Sequence, residues 1–231
     1  MSWMKKYTRK FNMFKVIINR TDPTIVEIGA HFGEDSVRFT EAFPLARVFA
    51  FEPDPRSIEI FKKHVNDHRI ELIELALSDV EGELEFFQSY QEYQPTDVPN
   101  KYDWISEQDY KKGKLNNSGS SSLKKGYQHV LGETIKVKSK RYDDWACERD
   151  IRHVDLAWID VQGAEKDVIL GMGDEIKNIK FIWTEYGEMM YEGSMSRQDT
   201  IKLLDEKGFR VIEELSDRGP TGDLLFVNRS H

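Results

Sequence analysis

Two rhythms of apolar and polar residues alternate along this chain of 231 residues. Short apolar runs have the length and β-branched content of buried strands, and the stretches between them repeat apolar residues at helical spacing. The predicted strands are residues 24–30, 47–52, 70–77, 155–161 and 180–186, and the predicted helices are residues 34–43, 55–67 and 164–172. Strands that alternate with helices in this way predict βαβ units and a mainly parallel sheet.

The C-terminal pattern predicts how the sheet ends. A helix over residues 197–207 leads into FRVIEEL, and the turn-forming stretch SDRGPTG separates that run from DLLFVNR. Two strands joined by such a stretch form an antiparallel pair. The chain therefore predicts the α/β class, with a doubly wound, mostly parallel sheet of seven strands that ends in a hairpin.

Residues 1–20 differ in character from the domain that follows, residues 21–231. They contain six basic residues and no acidic one, with apolar residues at steps of three and four, which predicts a basic amphipathic helix. Packing of this helix on its own domain, on another domain or on a partner subunit, as in a homodimer, is the favoured interpretation. Attachment to a membrane surface is the alternative.

One region breaks the alternation of strands and helices. Residues 88–133 are rich in Gly, Ser, Asn and Pro and lie between the third and fourth parallel strands. A loop of this length inside a compact domain is usually functional or disordered. We consider it a candidate lid over a binding crevice.

The charge distribution limits the partners. Beyond residue 20, 27 basic residues stand against 41 acidic ones, a net charge of −14 in a chain whose total is −8. This balance argues against nucleic acid, because phosphate binding needs positive charge. The single cysteine, Cys147, excludes an internal disulfide, and no apolar run approaches the roughly 20 residues of a membrane span. A cytoplasmic protein without a transmembrane segment is the expectation.

The stretch TIVEIGAHFGEDS joins the first strand to the first helix and contains two glycines. Glycine permits unusual backbone dihedrals and the close approach of a ligand, and the N–H groups of a helix N-terminus can bind a carboxylate or phosphate. In an open α/β sheet the ligand crevice borders this turn. The candidate cofactor-binding residues here are Glu27, Gly29, Ala30, His31, Gly33 and Ser36.

Two further stretches indicate an adenosine-containing cofactor. FAFEPDP ends the second strand with Glu52, nineteen residues after Gly33 and followed by Pro53, and a carboxylate near this spacing accepts hydrogen bonds from ribose hydroxyls. ALSDVEG places Ser78 and Asp79 after the third strand, where they could pair with the adenine ring. Glu27 stands where a dinucleotide fingerprint has glycine. It suits the positive charges of S-adenosylmethionine, with the turn N–H groups holding the carboxylate, so this cofactor is favoured over NAD.

The motifs resemble those of the FkbM-type methyltransferases. The similarity runs through VEIGAHFGEDS, FAFEPDP, ALSDVEG, SGSSSL, IDVQGAEKDVILG and IWTEYG in the same order, with IDVQGAE the most specific of them. The resemblance implies a class I Rossmann-like methyltransferase with strand order 3-2-1-4-5-7-6. It also implies methylation of a hydroxyl group, in many members on a sugar of a glycan or natural product. The family often has Asn where this chain has His31.

A hydroxyl acceptor needs alignment with the methyl donor and a base to remove its proton. Asp160 ends the fourth strand and is the favoured base, with a cofactor contact or a helix cap as its other interpretations; Glu165 and Glu185 are further catalytic candidates, and His31 is a less favoured base. The three carboxylates could also hold Mg²⁺, although no spacing demands a metal. The predicted acceptor-binding residues are Ser121, Ser122 and Tyr186.

The sequence also bears on functions other than methylation of a small-molecule or glycan hydroxyl. A [DN]-P-P-[YF] motif, typical of nucleic-acid base methyltransferases, is replaced here by DVQG. A catalytically silent module that binds S-adenosylmethionine and an NAD-dependent oxidoreductase are the alternatives. The acceptor could also be a protein or lipid, because a pocket built from loops has no transferable code.

Overall fold

The strands of the protein follow the apolar runs of its sequence. The computed structural model describes residues 3–90, 115, 117–127, 131–216 and 221–231. Its strands are β1 (Thr24–Ile28), β2 (Arg47–Phe51), β3 (Ile70–Ile73), β4 (Ala76–Leu77), β5 (Gly82–Ser89), β6 (Leu131–Lys140), β7 (Val154–Ile159), β8 (Ile179–Gly187), β9 (Phe209–Ser216) and β10 (Thr221–Asn228). Every residue of β7 is buried, as expected of a central strand covered on both faces.

Seven of these strands form the main sheet, in the order β3-β2-β1-β7-β8-β10-β9. β1 runs parallel to β2 and to β7, β8 runs parallel to β7, and β10 runs antiparallel to both of its neighbours. Counted along the chain within this sheet, the order is 3-2-1-4-5-7-6, which confirms the predicted fold. Strand order reverses between β1 and β7, so a ligand crevice is expected at their carboxyl ends.

Helices cover both faces of the main sheet. They are α1 (Trp3–Ile18), α2 (Glu34–Ala42), α3 (Pro55–His64), α4 (Tyr142–Glu148), α5 (Glu165–Gly171) and α6 (Arg197–Glu206), with 3₁₀ turns at Ser118–Ser120 and Gly173–Asn178. α4 was not predicted from the sequence. Within the described parts of the chain, no helix is long and apolar enough to cross a membrane.

The predicted basic helix exists as α1 and packs on the sheet of its own chain. Phe14 is completely buried, with its ring centroid 5.5 Å from that of Trp183 and 5.9 Å from that of Trp158. The two tryptophan rings stack on each other at 5.5 Å, and the Nζ atom of Lys10 lies 4.0 Å from the centre of the Trp158 ring. This helix therefore belongs to the hydrophobic core, as the packing interpretation predicts.

A second, smaller sheet has the order β4-β6-β5 and was not predicted. The predicted strand over residues 70–77 breaks at residues 74–75 into β3 and β4. β5 pairs with β6 in antiparallel register from Gly82↔Ser139 to Ser89↔Leu131, so both ends of the predicted loop 88–133 are strand. Residues 91–114, 116 and 128–130 of the candidate lid lie outside the described residues.

Candidate active site

A cleft of about 560 Å³ opens at the carboxyl ends of β1, β2 and β7, where the fold predicts it. One part of its wall is apolar and is formed by Phe51, Leu75, Ala76, Leu77, Phe86 and Leu123. The polar part contains Glu52, His31, Asp160 and Gln162. A cleft with an apolar slot and a few convergent polar groups is typical of sites for small molecules.

The turn between β1 and α2 uses its own hydrogen-bond donors to hold its shape. Gly29 and Ala30 donate their N–H groups to the carbonyl oxygen of Phe51 at 3.0 and 2.9 Å. The N–H groups of residues 31, 32 and 33 donate to Glu52 Oε2, Glu34 Oε2 and the Ala30 carbonyl oxygen. These N–H groups are thus paired within the protein, and their contact with the cofactor's carboxylate stays a prediction.

Both glycines of this turn have positive φ angles, 90° at Gly29 and 85° at Gly33. A Cβ atom on Gly29 would overlap the carbonyl oxygen of Asp160, and one on Gly33 would lie 2.6 Å from the ring of Phe61. Glycine is needed at both positions because neighbouring parts of the protein approach so closely. Gly29 also lines the cleft, whereas Gly33 faces α3.

Glu52 is buried at the end of β2, where its carboxylate fixes two turns at once. Its Oε2 accepts the N–H of His31 at 2.7 Å, and its Oε1 accepts the N–H of Asp54 at 2.8 Å. Burial raises the pKa of Glu52 to about 7, although these two hydrogen bonds oppose the shift. A carboxylate has about four acceptor positions, so both oxygens can accept further hydrogen bonds from a ligand in the cleft.

His31 connects the turn to the segment that contains SGSSS. Its Nε2 lies 2.9 Å from Ser118 Oγ and its Nδ1 lies 3.1 Å from Glu34 Oε1. Burial lowers the pKa of His31, but Glu34, Glu52 and Asp54 outweigh that effect and leave the pKa above its ordinary value. The ring therefore favours its protonated form more than an isolated histidine does.

Arg56 connects the described part of the candidate lid to the turn that follows β2. Its guanidinium group pairs with the buried carboxylate of Asp54 at 2.6 Å and donates to Ser121 Oγ at 3.1 Å. Ser121 also accepts the N–H of Ser89 at 2.9 Å and lines the cleft. Sequence reasoning missed this arrangement because its members are scattered over residues 54–121.

A second cleft of about 290 Å³ adjoins the first. Its wall is formed by Gln162, Gly163, Glu165, Glu185, Gly187, Met190, Tyr191 and Thr221. Gln162 lines both clefts, and its Nε2 donates to Asp160 Oδ1 at 2.6 Å and to Glu185 Oε2 at 3.1 Å. The hydroxyl of Tyr191 lies 3.0 Å from Gln162 Oε1. The side chain of Gln162 therefore stands between the two clefts and links their carboxylates. The backbone of this residue has a positive φ of 55°.

Carboxylates dominate the electrostatics where the clefts meet. Burial raises the pKa of Glu185 to about 9, with further contributions from Asp160, Glu165 and Asp223. Surrounding protein also raises the pKa of Asp160, although its side chain is open to the clefts and accepts a hydrogen bond from Gln162. Glu185 is therefore protonated near neutral pH.

Comparison with known proteins identifies the family. The family model described as the methyltransferase FkbM domain matches residues 27–211. The chain belongs to the FkbM methyltransferase family. The 2-O-methyltransferase NoeI of Sinorhizobium fredii is 34% identical over 219 residues, covering 92% of this chain and 82% of that protein. Methyltransferase 1 of Beauveria bassiana is 27% identical over 210 residues, covering 86% and 77%.

Solved structures support the fold assignment. Magnesium protoporphyrin IX methyltransferase (ChlM) of Synechocystis, with bound SAM, gives a TM-score of 0.53 at 8% identity and covers 97% of this chain and 78% of its own. Fibrillarin of Aeropyrum pernix, with natively bound S-adenosyl-L-methionine, gives 0.53 at 12% identity and covers 96% and 74%. This chain is a methyltransferase and its cofactor is S-adenosylmethionine, so the NAD-dependent alternative is wrong.

The first cleft suits the cofactor of the FkbM family. The apolar slot beside β4 suits a planar adenine ring, and the Glu52 carboxylate at the mouth of β2 suits ribose hydroxyls. Gly29 and Asp160 line the end of the cleft nearest the second cleft.

Several predicted cofactor contacts lie elsewhere. Glu27 is buried beneath the turn, where it accepts a short hydrogen bond from Ser36, and burial holds its pKa well above the ordinary value. Ser78 is buried and packs tightly against Gly171 of α5, and neither Ser78 nor Asp79 lines the cleft. The carbonyl of Asp79 accepts the guanidinium of Arg141 at 2.8 Å. The predicted adenine contacts of Ser78 and Asp79 are therefore not supported.

Two of the predicted acceptor-binding residues, Ser122 and Tyr186, have other contacts. Ser122 is occupied by the backbone, since its hydroxyl donates to the Val161 carbonyl at 3.2 Å and accepts the N–H of Lys124 at 2.9 Å. Tyr186 belongs to the hydrophobic core with 5% of its surface exposed, so its ring cannot stack on a sugar. Its hydroxyl lies 3.1 Å from Glu214 Oε1. The tyrosine that reaches the second cleft is Tyr191, which sequence reasoning missed.

Glu165 stabilises the loop that contains Gln162. Its Oε1 accepts the N–H of Gly163 at 3.1 Å and that of Val161 at 3.3 Å, and burial raises its pKa to about 7. These contacts hold the loop that carries Gln162, and the catalytic role of Glu165 stays a prediction. Among the described residues, no group of three or more His, Cys, Asp or Glu side chains is arranged to hold a metal ion.

Proposed function

We propose that the protein transfers the methyl group of S-adenosylmethionine to a hydroxyl group of a sugar, a glycan or a glycosylated natural product. The observation that carries this proposal is the position of Asp160. Its carboxylate lines the cofactor cleft and accepts a hydrogen bond from the side chain that also lines the second cleft. A base that serves an acceptor hydroxyl must stand at such a junction.

In this proposal the first cleft holds the cofactor. Glu52 accepts the ribose hydroxyls, Pro53 and Gly29 shape the wall, and the slot around Leu75 and Leu77 takes the adenine ring. When bound, S-adenosylmethionine supplies an activated methyl group on a positively charged sulfur. The acidic surroundings of the junction favour that positive charge.

Asp160 removes the acceptor proton. Oxygen is a weak nucleophile at neutral pH until its proton is taken, and a carboxylate whose pKa is raised by the surrounding protein is a better base than an ordinary aspartate. The hydrogen bond from Gln162 Nε2 at 2.6 Å orients the carboxylate and leaves its second oxygen for the acceptor. Gln162 is thus the positioning residue of the base.

Two observations favour oxygen as the methylated atom. The relative NoeI is named a 2-O-methyltransferase and matches 92% of this chain. An amine acceptor would present a nucleophile that needs no strong base, whereas the buried carboxylates of this junction offer proton acceptors and hydrogen-bond partners for hydroxyls.

The test is a methyl-transfer assay with S-adenosylmethionine and a panel of glycosides and glycosylated natural products, read by S-adenosylhomocysteine release and by mass spectrometry of the product. We expect a methyl ether. Asp160→Asn should lower turnover about 10²–10⁴-fold, the usual contribution of a general base. Its affinity for S-adenosylhomocysteine should stay within about twofold, because the amide keeps the shape of the side chain.

Asp174→Asn is the matched control, since Asp174 is exposed on the turn after α5 and should leave turnover unchanged. Loss of cofactor binding in Asp160→Asn would make Asp160 a cofactor ligand and not the base. Methyl transfer to nitrogen, or to no saccharide of the panel, would refute the proposed acceptor.

A further inference from the structure

The wall of the second cleft contains acidic side chains. Of the eight described residues that line it, two are glutamates and none is lysine or arginine. Asp160 and Asp223 add to the electrostatic effect on Glu185, while Lys10 opposes it. Lys10 lies on the covered side of the sheet, with its Nζ 3.8 Å from Asp223 and over the rings of two tryptophans. The surface open to a ligand is therefore acidic.

The wall of the second cleft offers both apolar and polar groups to a ligand. Met190 contributes an apolar surface, and Glu185, Thr221 and Tyr191 contribute polar groups. A Cβ atom on Gly187 would lie 3.3 Å from Met190 Cγ, so glycine keeps this wall open.

The described part of the candidate lid lines the first cleft and contacts residues that line the second. Residues 117–127 bridge to β5 at Phe87↔Ser122 and to the loop after β8 at Gly126↔Tyr191. The N–H of Tyr127 donates to the Met190 carbonyl at 3.1 Å, and the Tyr191 hydroxyl lies 3.1 Å from the Ser120 carbonyl. The segment therefore connects the wall of the cofactor cleft with the wall of the second cleft, as expected for a donor site beside an acceptor site.

We propose that the second cleft is the acceptor site and that it selects an uncharged, hydroxylated ring over phosphorylated or carboxylated sugars. This proposal rests on the proposed function and adds the location and the charge of the acceptor. An anionic acceptor would lie beside the carboxylate of Asp160, which Gln162 joins to this cleft, and repulsion between like charges disfavours it. The described wall of the second cleft offers it no lysine or arginine as a partner. A neutral ring can instead exchange hydrogen bonds with Glu185 and pack on Met190.

The location is tested by filling the cleft. Met190→Trp places a large ring in its wall, while Met189→Trp is the matched control, because the neighbouring Met189 is 77% exposed and lines neither cleft. We expect Met190→Trp to raise the KM for the acceptor at least tenfold and to leave the KM for S-adenosylmethionine within about twofold. Met189→Trp should change neither constant.

The charge preference is tested on the unaltered protein with methyl glycosides of neutral hexoses, their 6-phosphates and the corresponding uronic acids. We expect kcat/KM to be at least tenfold higher for the neutral sugar, with a smaller difference in 0.5 M salt because salt screens repulsion, the Debye length being about 3 Å at 1 M. A phosphorylated or carboxylated sugar that reacts as well as the neutral one would overturn the charge preference.

The outcomes separate the two proposals. A neutral sugar that is methylated equally well by Met190→Trp and by the unaltered protein overturns the location of the acceptor site and leaves the proposed function standing. A rise in the KM for S-adenosylmethionine alone would assign the second cleft to the cofactor. If the unaltered protein methylates no saccharide, the proposed function fails and the acceptor class fails with it.

Discussion

Glu52 offers the sharpest test of how the protein holds its cofactor. Glu52→Gln keeps the size of the side chain but leaves one oxygen where the carboxylate has two. Both oxygens now accept backbone N–H groups, from His31 at 2.7 Å and from Asp54 at 2.8 Å. The amide nitrogen cannot accept a hydrogen bond, so one buried N–H loses its partner, at a cost of about 1–3 kcal/mol in the free energy of unfolding.

Glu52→Gln should also lower the affinity for the cofactor. A hydrogen bond to a charged group contributes about 1.5–3 kcal/mol, and each 1.4 kcal/mol is a factor of ten in affinity. Losing the charge beneath the ribose should therefore weaken binding by roughly 10- to 150-fold. Because burial raises the pKa of Glu52 to about 7, the ionised and better accepting form becomes more populated as the pH rises through 7. Affinity of the unaltered protein should rise from pH 6 to pH 8, and this rise should vanish in Glu52→Gln.

Calorimetric titration with S-adenosylhomocysteine at pH 6, 7 and 8 measures both effects. Glu59→Gln is the control, because Glu59 is exposed on α3 and should bind like the unaltered protein. Thermal unfolding of each variant separates loss of fold from loss of the ribose contact. Equal affinity in Glu52→Gln at pH 8, or a pH-dependent rise that persists in that variant, would refute the ribose assignment.

Three further predictions concern the frame of the site. Gly29→Ala should lower the free energy of unfolding by more than Gly208→Ala, since both residues have φ near 90° but only at Gly29 would the added Cβ atom overlap a backbone oxygen; equal losses in urea unfolding would contradict the close approach. Phe14→Ala should lower the free energy of unfolding by about 3–5 kcal/mol, and Val16→Ala, at an exposed position, by under about 0.5 kcal/mol. A loss below about 1 kcal/mol in Phe14→Ala would contradict the packing of α1 in the core. Because burial raises the pKa of Glu185 to about 9 from 4.5, the folded state binds more protons than the unfolded one between these values. Stability should then fall as the pH rises through that window, less steeply in Glu185→Gln, and a constant stability in urea melts at pH 5, 7 and 9 would exclude the shift.

The main sheet could be read from the sequence because its signals are local. Each central strand is a short, mostly apolar run. The glycine turn follows β1 directly, and Glu52 follows β2 directly. The residues that form this turn, 27–36, are therefore contiguous in the sequence. The main sheet also has its strands in the order that the family resemblance implies, so the carboxyl ends that form the cleft follow without further information.

The second sheet could not be predicted because its pairings join distant residues. β5 has the pattern GELEFFQS, with mostly polar residues in its first half, and its partner β6 begins about 40 residues later across the candidate lid. The role of Gln162 could not be predicted for a similar reason, because its contacts are with Glu185 of β8 and with Tyr191, which are distant in the sequence. Its one sequence signal is the dipeptide Gln-Gly after a buried strand, which favours a tight turn and gives no partner.

The acidic junction is maintained by a residue that the family match does not contain. Residues 27–211 carry the matched domain, yet Lys10 of α1 is the buried cation that opposes the carboxylates Asp35, Asp160 and Glu185. Isolated carboxylates beneath a sheet are costly unless they are protonated or paired. Lys10 provides part of that pairing, since its Nζ lies 3.8 Å from the Asp223 carboxylate and is held 4.0 Å from the centre of the Trp158 ring. The hydrophobic packing of α1 and the electrostatics of the site therefore depend on the same helix.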